Sequence, residues 1–183
     1  PAQSTDESPA NFGSLTNKPD EAVIINSCSY PIYLSSVNSN PANPTNCDGD
    51  GVNGHEIPPG ATYSERIREC AEGGVSLKIA KQSSGAKPMQ IEYTKSSELY
   101  YNLSFLDCMV PGTTDLSACA GHEEGVQIAS AKGCPVWACQ PGEYCDTKGY
   151  TVPEYGNQNV ATPIGGCGAG EGLVLELCAA KGA

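Results

Sequence analysis

The stretch MQIEYTKSSELYYNLSFLDC, residues 89–108, decides the fold. Apolar residues occupy every second position of 89–93 and again of 99–105. Successive side chains of a β-strand point to opposite faces, so this pattern predicts two strands, each with one buried face. Glu92 and Asn102 fall in the polar rows of these strands, and we therefore expect both side chains to point away from the core.

Three further stretches carry a strand signal. AVIINSCSYPIYLSSV (22–37) is rich in β-branched and aromatic residues, and GVSLKIAK (74–81) and GLVLELC (172–178) alternate apolar residues with others. Pro31 interrupts the first stretch, which suits an edge or a bulge. Together these patterns predict an all-β protein of the sandwich class.

Other regions lack this periodicity. Residues 38–60 are rich in Asn, Asp, Gly and Pro and predict a long loop pinned by Cys47, with His55 exposed on it. Residues 108–145 hold five cysteines and predict a disulfide-rich loop lobe that can include a short helix. Residues 1–21 are polar and acidic and predict an extended N-terminal tail, which leaves 22–183 as the domain.

Ten cysteines in 183 residues predict five disulfides and an oxidising compartment. The alternative is zinc binding, which needs closely spaced CxxC pairs that the sequence lacks. The predicted disulfide residues are Cys28, Cys47, Cys70, Cys108, Cys119, Cys134, Cys139, Cys145, Cys167 and Cys178.

Charge and the chain start narrow the function classes. The net charge of −11 repels phosphate backbones, so we expect no nucleic-acid partner and favour neutral or cationic polysaccharides. No apolar run is long enough to span a membrane. The chain starts at Pro1, which we interpret as the result of signal removal from a secreted protein. We further expect a monomer and include the cell wall among its extracellular locations.

The order of these features resembles the thaumatin-like proteins. The resemblance rests on VIINSCSYPIYL, IPPGATYSERIRE, GVSLKIAK, the stretch 89–108, YCDTKGYTVPEYGNQNVATPIGGC and LVLELC. It covers about 22–178 and is greatest for the small fungal branch, the antigenic or yeast-phase-specific proteins. It implies a thaumatin-like β-sandwich with a disulfide-rich lobe, and an acidic cleft in which some members bind or hydrolyse β-1,3-glucan.

The resemblance also carries site residues onto this chain. It places the cleft glutamate on Glu92, the aspartate that ends the second strand on Asp107, and the cleft arginine on Arg66 or Arg68. Where the family has an intermediate aspartate, this chain has Asn102, so one expected carboxylate is missing.

Glycoside hydrolysis needs one protonated and one ionised carboxyl group. Glu92 as the acid and Asp107 as the base or nucleophile form the natural pair, with an arginine that keeps Asp107 ionised. The alternative is that both are ordinary exposed carboxylates. The sequence therefore predicts glycan binding and leaves open whether the protein is an enzyme.

Asn102 opens a sequon, Asn-Leu-Ser, that has no proline in its middle position. A glycan on Asn102 would obstruct the cleft, whereas an unmodified amide there could hydrogen-bond a sugar hydroxyl. The sequence permits either state.

The segment CAGHEEG, residues 119–125, is the second chemical feature. We expect it to form the opposite wall of the cleft together with Asp115, where Glu123 or Glu124 replaces the missing carboxylate and His122 contacts a substrate hydroxyl. The alternative is a solvated loop. We expect no metal site and no cofactor.

Aromatic rings bind sugars by stacking. The candidates are Tyr63, Tyr100, Tyr144, Tyr150, Tyr155 and Trp137, of which Trp137 is either a plug under the loop lobe or a stacking platform. Two functions remain: a carbohydrate-active protein acting on β-1,3-glucan, less readily on chitin, chitosan or peptidoglycan, and a non-catalytic secreted antigen or interaction protein.

Overall fold

A computed structural model describes residues 12–38, 42, 46–151 and 164–181. The described residues form two β-sheets and two single 3-10 turns, with no α-helix among them. The strands are β1 Glu21–Asn26, β2 Ile32–Asn38, β3 His55–Ile57, β4 Thr62–Arg66, β5 Val75–Ala80, β6 Met89–Lys95, β7 Glu98–Ser104, β8 Val126–Ala129, β9 Trp137–Cys139, β10 Ile164–Gly168 and β11 Leu173–Leu177. The predicted all-β sandwich is confirmed.

The five-stranded sheet has the order β4-β1-β11-β8-β9, and the six-stranded sheet has the order β10-β7-β6-β5-β2-β3. The first and last strands of the chain, β1 and β11, pair in parallel, and the other strand pairs described in the two sheets are antiparallel. The 3-10 turns are His122–Glu124 and Ala179–Lys181.

The core lies between the inner faces of the two sheets. Ile24 and Leu175 from one sheet and Leu77, Ile91 and Leu103 from the other are each at most 1% exposed. Each such burial stabilises the fold by about 1.5–3 kcal/mol. The predicted alternation of β5, β6 and β7 is therefore the inner face of the six-stranded sheet, and their polar rows form its outer face.

Three strands lie in regions that the sequence predicts as loops. β3 lies within 38–60, and its His55 is exposed as expected. β8 and β9 lie within 108–145, where they extend the five-stranded sheet. β8 has no alternation because it is buried on both faces, and β9 is too short for a period to be read. The short helix permitted in this lobe is the 3-10 turn at His122–Glu124.

The described part of the N-terminal segment packs on the outer face of the five-stranded sheet. Leu15 packs against Val23, Ala129 and Val174, and the Gln127 side chain donates a hydrogen bond to the carbonyl of Gly13 at 3.0 Å. Strand β1 begins one residue before the predicted domain boundary at residue 22. Residues 1–11 of the predicted tail lie outside the described residues.

Five disulfides are present, as predicted. The pairs are Cys28–Cys178, Cys47–Cys70, Cys108–Cys119, Cys134–Cys167 and Cys139–Cys145. The first pair joins the end of β1 to the end of β11, and the third and fifth pairs close loops within the predicted lobe.

Removing the Cys28–Cys178 disulfide should destabilise the protein more than removing Cys139–Cys145. The partners are 150 positions apart in the first bond and 6 in the second, and loop-closure entropy assigns them about 5 and about 2 kcal/mol. Urea unfolding of the C28A/C178A and C139A/C145A variants measures the difference. Equal losses would contradict the role assigned to the β1–β11 closure.

Candidate functional site

Glu92 lies on the outer face of β6, at the middle of the six-stranded sheet. Its strand neighbours in register are Ser76 on β5 and Asn102 on β7. The side chain is half-buried and forms a hydrogen bond with the Asn102 side chain. Glu92 and Asn102 both lie on the outer face, as the alternation predicts, and the strand register places them side by side.

Two cavities meet at Glu92, and we call them together the Glu92 groove. The Tyr100 cavity, of about 320 Å³, is lined by Gly73, Gly74, Val75, Glu92, Tyr93, Thr94, Tyr100, Tyr101, Asn102 and Ile164. The Arg68 cavity, of about 560 Å³, is lined by Ser36, Val37, Asn38, Gly49, Asp50, Gly51, Arg68, Ser76, Lys78, Gln90 and Glu92. Glu92 lines both cavities.

Burial raises the pKa of Glu92 above its ordinary value. The hydrogen bond from Asn102 and the charge of Lys78 oppose this shift, and the nearby charge of Asp107 adds to it. A carboxyl group with a raised pKa holds its proton further toward neutral pH, which is the property of a general acid.

Asp107 follows β7 and faces the same row of outward side chains. Its carboxylate accepts a hydrogen bond from the Gln90 side chain at 2.9 Å and lies 3.9 Å from the Lys78 ammonium. Gln90 and Glu92 are two positions apart on β6, so their Cα atoms are roughly 7 Å apart. Asp107 lines neither cavity of the Glu92 groove, but it contacts Gln90, two positions from Glu92, and Lys78 lies close to both carboxyl groups.

The two candidate arginines have different surroundings. Arg66 ends β4, is largely exposed, and pairs with Asp48 at 2.9 Å. Arg68 is 6% exposed and lines the Arg68 cavity, where its guanidinium donates to the Ser36 hydroxyl at 2.5 Å. Its Nε atom is buried without a hydrogen-bond partner among the described residues. The structure thus separates two residues that the strand period made equivalent, and it places Arg68 in the groove.

Asn102 is 9% exposed, and it lines the Tyr100 cavity. Its Oδ1 atom accepts no hydrogen bond in the described part of the chain. The amide side chain does form a hydrogen bond with the Glu92 carboxyl group. A glycan on this amide would have to displace the Glu92 contact. The burial therefore favours the unmodified amide of the two states that the sequence permits.

The residues predicted for the opposite wall make other contacts. His122 is buried, its Nε2 atom lies 2.5 Å from the Glu143 carbonyl, and its ring packs on Phe105. Glu123 pairs with Lys81 at 3.0 Å and accepts a hydrogen bond from the Tyr30 hydroxyl at 2.8 Å. None of these residues lines either cavity of the Glu92 groove.

The pKa of Glu123 is shifted in the opposite direction from that of Glu92. Burial acts to raise it, but hydrogen bonds from its own backbone, Lys81 and Tyr30 outweigh burial and leave the pKa lowered. Glu124 is half-buried in the same 3-10 turn. Asp115 is exposed and accepts the Ser117 backbone N–H at 2.9 Å, which makes it a loop-capping residue.

The aromatic candidates separate into one exposed ring and several packed ones. Tyr100 is 41% exposed and borders the Tyr100 cavity. Trp137 is half-buried and packs edge-on against Tyr101, with ring centroids 5.4 Å apart. The Tyr63 hydroxyl donates a hydrogen bond to the Glu65 carboxylate. Tyr144 packs against the core, and Tyr150 is buried, whereas Tyr155 lies outside the described residues.

Lys78, Gln90 and Ser76 are groove residues that we did not single out from the sequence. Ser76 donates to the Gln90 side chain at 2.8 Å, and Gln90 in turn donates to Asp107. The signal was available, because these residues occupy the polar rows of β5 and β6. Gly74 was also missed: a Cβ there would lie 2.1 Å from the carbonyl oxygen of Tyr93, so only glycine allows this approach.

Among the described residues, no three His, Cys, Asp or Glu side chains lie close enough together to hold a metal ion. The two histidines pack on separate aromatic rings, His55 on Tyr63 and His122 on Phe105. No helix in the described ranges has the length and apolarity of a membrane span.

Comparison with known proteins identifies relatives. Residues 10–179 match the family described as Bys1, Blastomyces yeast-phase-specific protein. The secreted thaumatin-like protein calA of Emericella nidulans is 29% identical over 133 residues, which are 72% of this chain and 68% of that protein.

Two solved structures share the fold. The protein elicitor MoHrip2 of Magnaporthe oryzae has a TM-score of 0.62 at 23% identity, over 87% of this chain and 99% of that one. The thaumatin-like xylanase inhibitor TLXI has a TM-score of 0.50 at 12% identity, over 86% and 98%. At these identities the structures support the fold alone, and the predicted thaumatin-like sandwich is confirmed.

Replacing Glu92 by glutamine should make the protein less sensitive to rising pH. Glu92 is protonated in both states below its unfolded pKa, and above it the folded state retains a proton that the unfolded state has released. The wild-type free energy of unfolding therefore loses a contribution as pH rises through the folded pKa. Urea unfolding from about pH 4 to about pH 7 should show E92Q gaining stability relative to wild type. A constant difference would contradict the raised pKa.

Asn102 should carry no glycan when the protein is secreted from a eukaryotic host. Its amide is buried against Glu92, so a glycosylated chain could not form this part of β7 and β6 as described. Intact-mass and peptide mass spectrometry of the folded protein test this. A folded, fully occupied sequon would contradict the placement of Asn102 in the groove.

Proposed function

The chain belongs to the Blastomyces yeast-phase-specific family of secreted, fungal thaumatin-like proteins, and from that premise we propose that it binds cell-wall polysaccharide in the Glu92 groove. The observation that carries the proposal is the meeting of two cavities at one half-buried carboxylate, beside an exposed tyrosine ring.

The size and lining of the groove support a sugar chain as the ligand. Each cavity falls within the range of about 300–1,000 Å³ that is usual for ligand sites. Tyr100 offers a flat apolar face for a sugar ring, and its hydroxyl is held by Glu98. The lining also includes polar side chains, such as Ser76, Gln90 and Asn102, with which sugar hydroxyls can form hydrogen bonds.

The charges of the groove favour a neutral or cationic polysaccharide. Lys78 and Arg68 are its cations, but Lys78 interacts with Glu92 and Asp107, and Arg68 lies 3.6 Å from Glu65. The net charge of −11 acts in the same direction. A neutral β-1,3-glucan fits this balance, as does a glycan that carries amines.

Hydrolysis is the finer part of the proposal, with Glu92 as the acid and Asp107 as the base. Gln90 and Lys78 would hold the Asp107 carboxylate by a hydrogen bond and an ion pair, and burial raises the pKa of Glu92, as a general acid requires. The separation of the two carboxyl groups would set the stereochemical outcome, since about 5–5.5 Å suits a retaining reaction and about 6.5–9.5 Å an inverting one.

Removing the Tyr100 ring should weaken binding of glucan oligosaccharides. We expect Y100A to lower affinity roughly tenfold, since a stacked ring contributes about 1 kcal/mol or more. Titration calorimetry with laminari-oligosaccharides measures this, and Y33A serves as the matched control. Tyr33 lies on β2 and lines neither cavity.

The same titration has a clear contrary outcome. If laminari-, chito- and chitosan oligosaccharides all fail to bind, the proposal is wrong and the alternative of a non-catalytic interaction protein gains. Equal losses in Y100A and Y33A would also contradict the groove as the binding site.

Catalysis has its own test in reducing-sugar release. Laminarin, chitin, chitosan and peptidoglycan are incubated with wild type, E92Q and D107N. Release that disappears in both variants supports the acid and base roles. Binding without release on any substrate would remove hydrolysis and leave a glycan-binding protein.

A further inference from the structure

We propose that the Tyr100 cavity is a subsite for a sugar unit that carries a protonated amine, such as a glucosamine unit of a deacetylated amino-sugar chain. This inference rests on the proposed polysaccharide binding and names the chemical class of one unit of the ligand.

The first observation is that Glu92 is the only charged side chain among the described residues that line the Tyr100 cavity. The remaining lining consists of glycine, aromatic, aliphatic, hydroxyl and amide residues. A half-buried carboxylate that faces a cavity without a cation is stabilised by any cation that enters, because the local dielectric constant is lower than in water.

The second observation is the balance of charge around Glu92. Lys78 is the cation whose charge acts on it, and Lys78 also lies 3.9 Å from Asp107. One ammonium therefore serves two carboxyl groups, and when both are ionised one negative charge remains in excess. A ligand amine on the Tyr100 side of Glu92 would supply the second positive charge.

The third observation is the unsatisfied oxygen of Asn102. Its Oδ1 atom is buried, belongs to a residue that is 9% exposed, and accepts no hydrogen bond among the residues described. An ammonium group has three donors and no acceptor. Glu92, Asn102 and the Thr94 hydroxyl, which also lines the cavity, offer three acceptors of the type that such a group requires.

A sugar fits this cavity better than a protein lysine does. Tyr100 and Ile164 are 41% and 44% exposed and together border the cavity with apolar surface, which suits the C–H face of a sugar ring. The Arg68 cavity continues from Glu92, so neighbouring units of a polymer have room on the other side.

The experiment compares three hexamers by titration calorimetry: glucosamine, N-acetylglucosamine and the β-1,3-glucan laminarihexaose. We expect the glucosamine hexamer to bind roughly tenfold tighter than the acetylated one at about pH 5.5 and about 50 mM salt, where its amines are protonated and screening is weak. Acetylation removes the charge and leaves the sugar ring, so the pair isolates the amine.

E92Q should abolish this preference for the amine, so that the glucosamine and N-acetylglucosamine hexamers bind this variant with similar affinity. The matched control is E56Q, which changes the net charge equally on β3, outside both cavities, and should keep the preference. N102L removes the buried acceptor together with the amide hydrogen bond to Glu92, and it should reduce the preference about threefold. It tests the subsite independently if E92Q does not fold.

Four outcomes would overturn the inference. If E92Q and E56Q prefer the glucosamine hexamer over the acetylated one equally, the preference reflects general attraction to an acidic surface. If a hexalysine peptide binds as tightly as the glucosamine hexamer, the ligand need not be a sugar. Neutral hexamers that bind as well as glucosamine would reject the amine subsite and leave the proposed function standing. Failure of all three hexamers to bind would reject both.

Discussion

The parallel pairing of β1 with β11 joins the first described strand to the last, and the other described strands lie between these two in sequence. The pair occupies the interior of the five-stranded sheet, and the Cys28–Cys178 disulfide fixes it at one end. β11 also pairs with β8, so the position of the loop lobe depends on β11. The six-stranded sheet packs its apolar face on this cross-linked sheet.

The two outer faces of the sandwich differ in polarity. The outer face of the five-stranded sheet carries Val23, Ala129 and Val174, and Leu15 of the N-terminal segment packs on them. The outer face of the six-stranded sheet carries Ser76, Gln90, Glu92 and other polar side chains in register across β5, β6 and β7. A sheet held rigid by its core can therefore keep a half-buried carboxylate beside an amide, and the groove is a consequence of strand register.

Much of this face could be predicted from the sequence, because alternation gives the side on which each residue of β6 and β7 lies. The sequence could not, however, distinguish the role of Arg66 from that of Arg68. The difference depends on where β4 ends, and Arg68 is buried by contacts with Ser36 that are remote in sequence. β8 was missed because both its faces are covered, which removes the alternation. Glu123 was expected beside Glu92, but its partners are Lys81 and Tyr30, a long-range arrangement set by the lobe.

The central claim is that ligand binding occurs on the outer face of β5, β6 and β7 at Glu92. Backbone amide chemical shifts measured by NMR during titration with a glucosamine or glucan hexamer test it most directly. The account predicts that the largest changes fall at Ser76, Glu92, Thr94 and Asn102, with little change around the Glu123–Lys81 pair or at Gln127 on the opposite sheet. Changes centred on the loop lobe or on the five-stranded sheet, with the Glu92 groove unaffected, would contradict it.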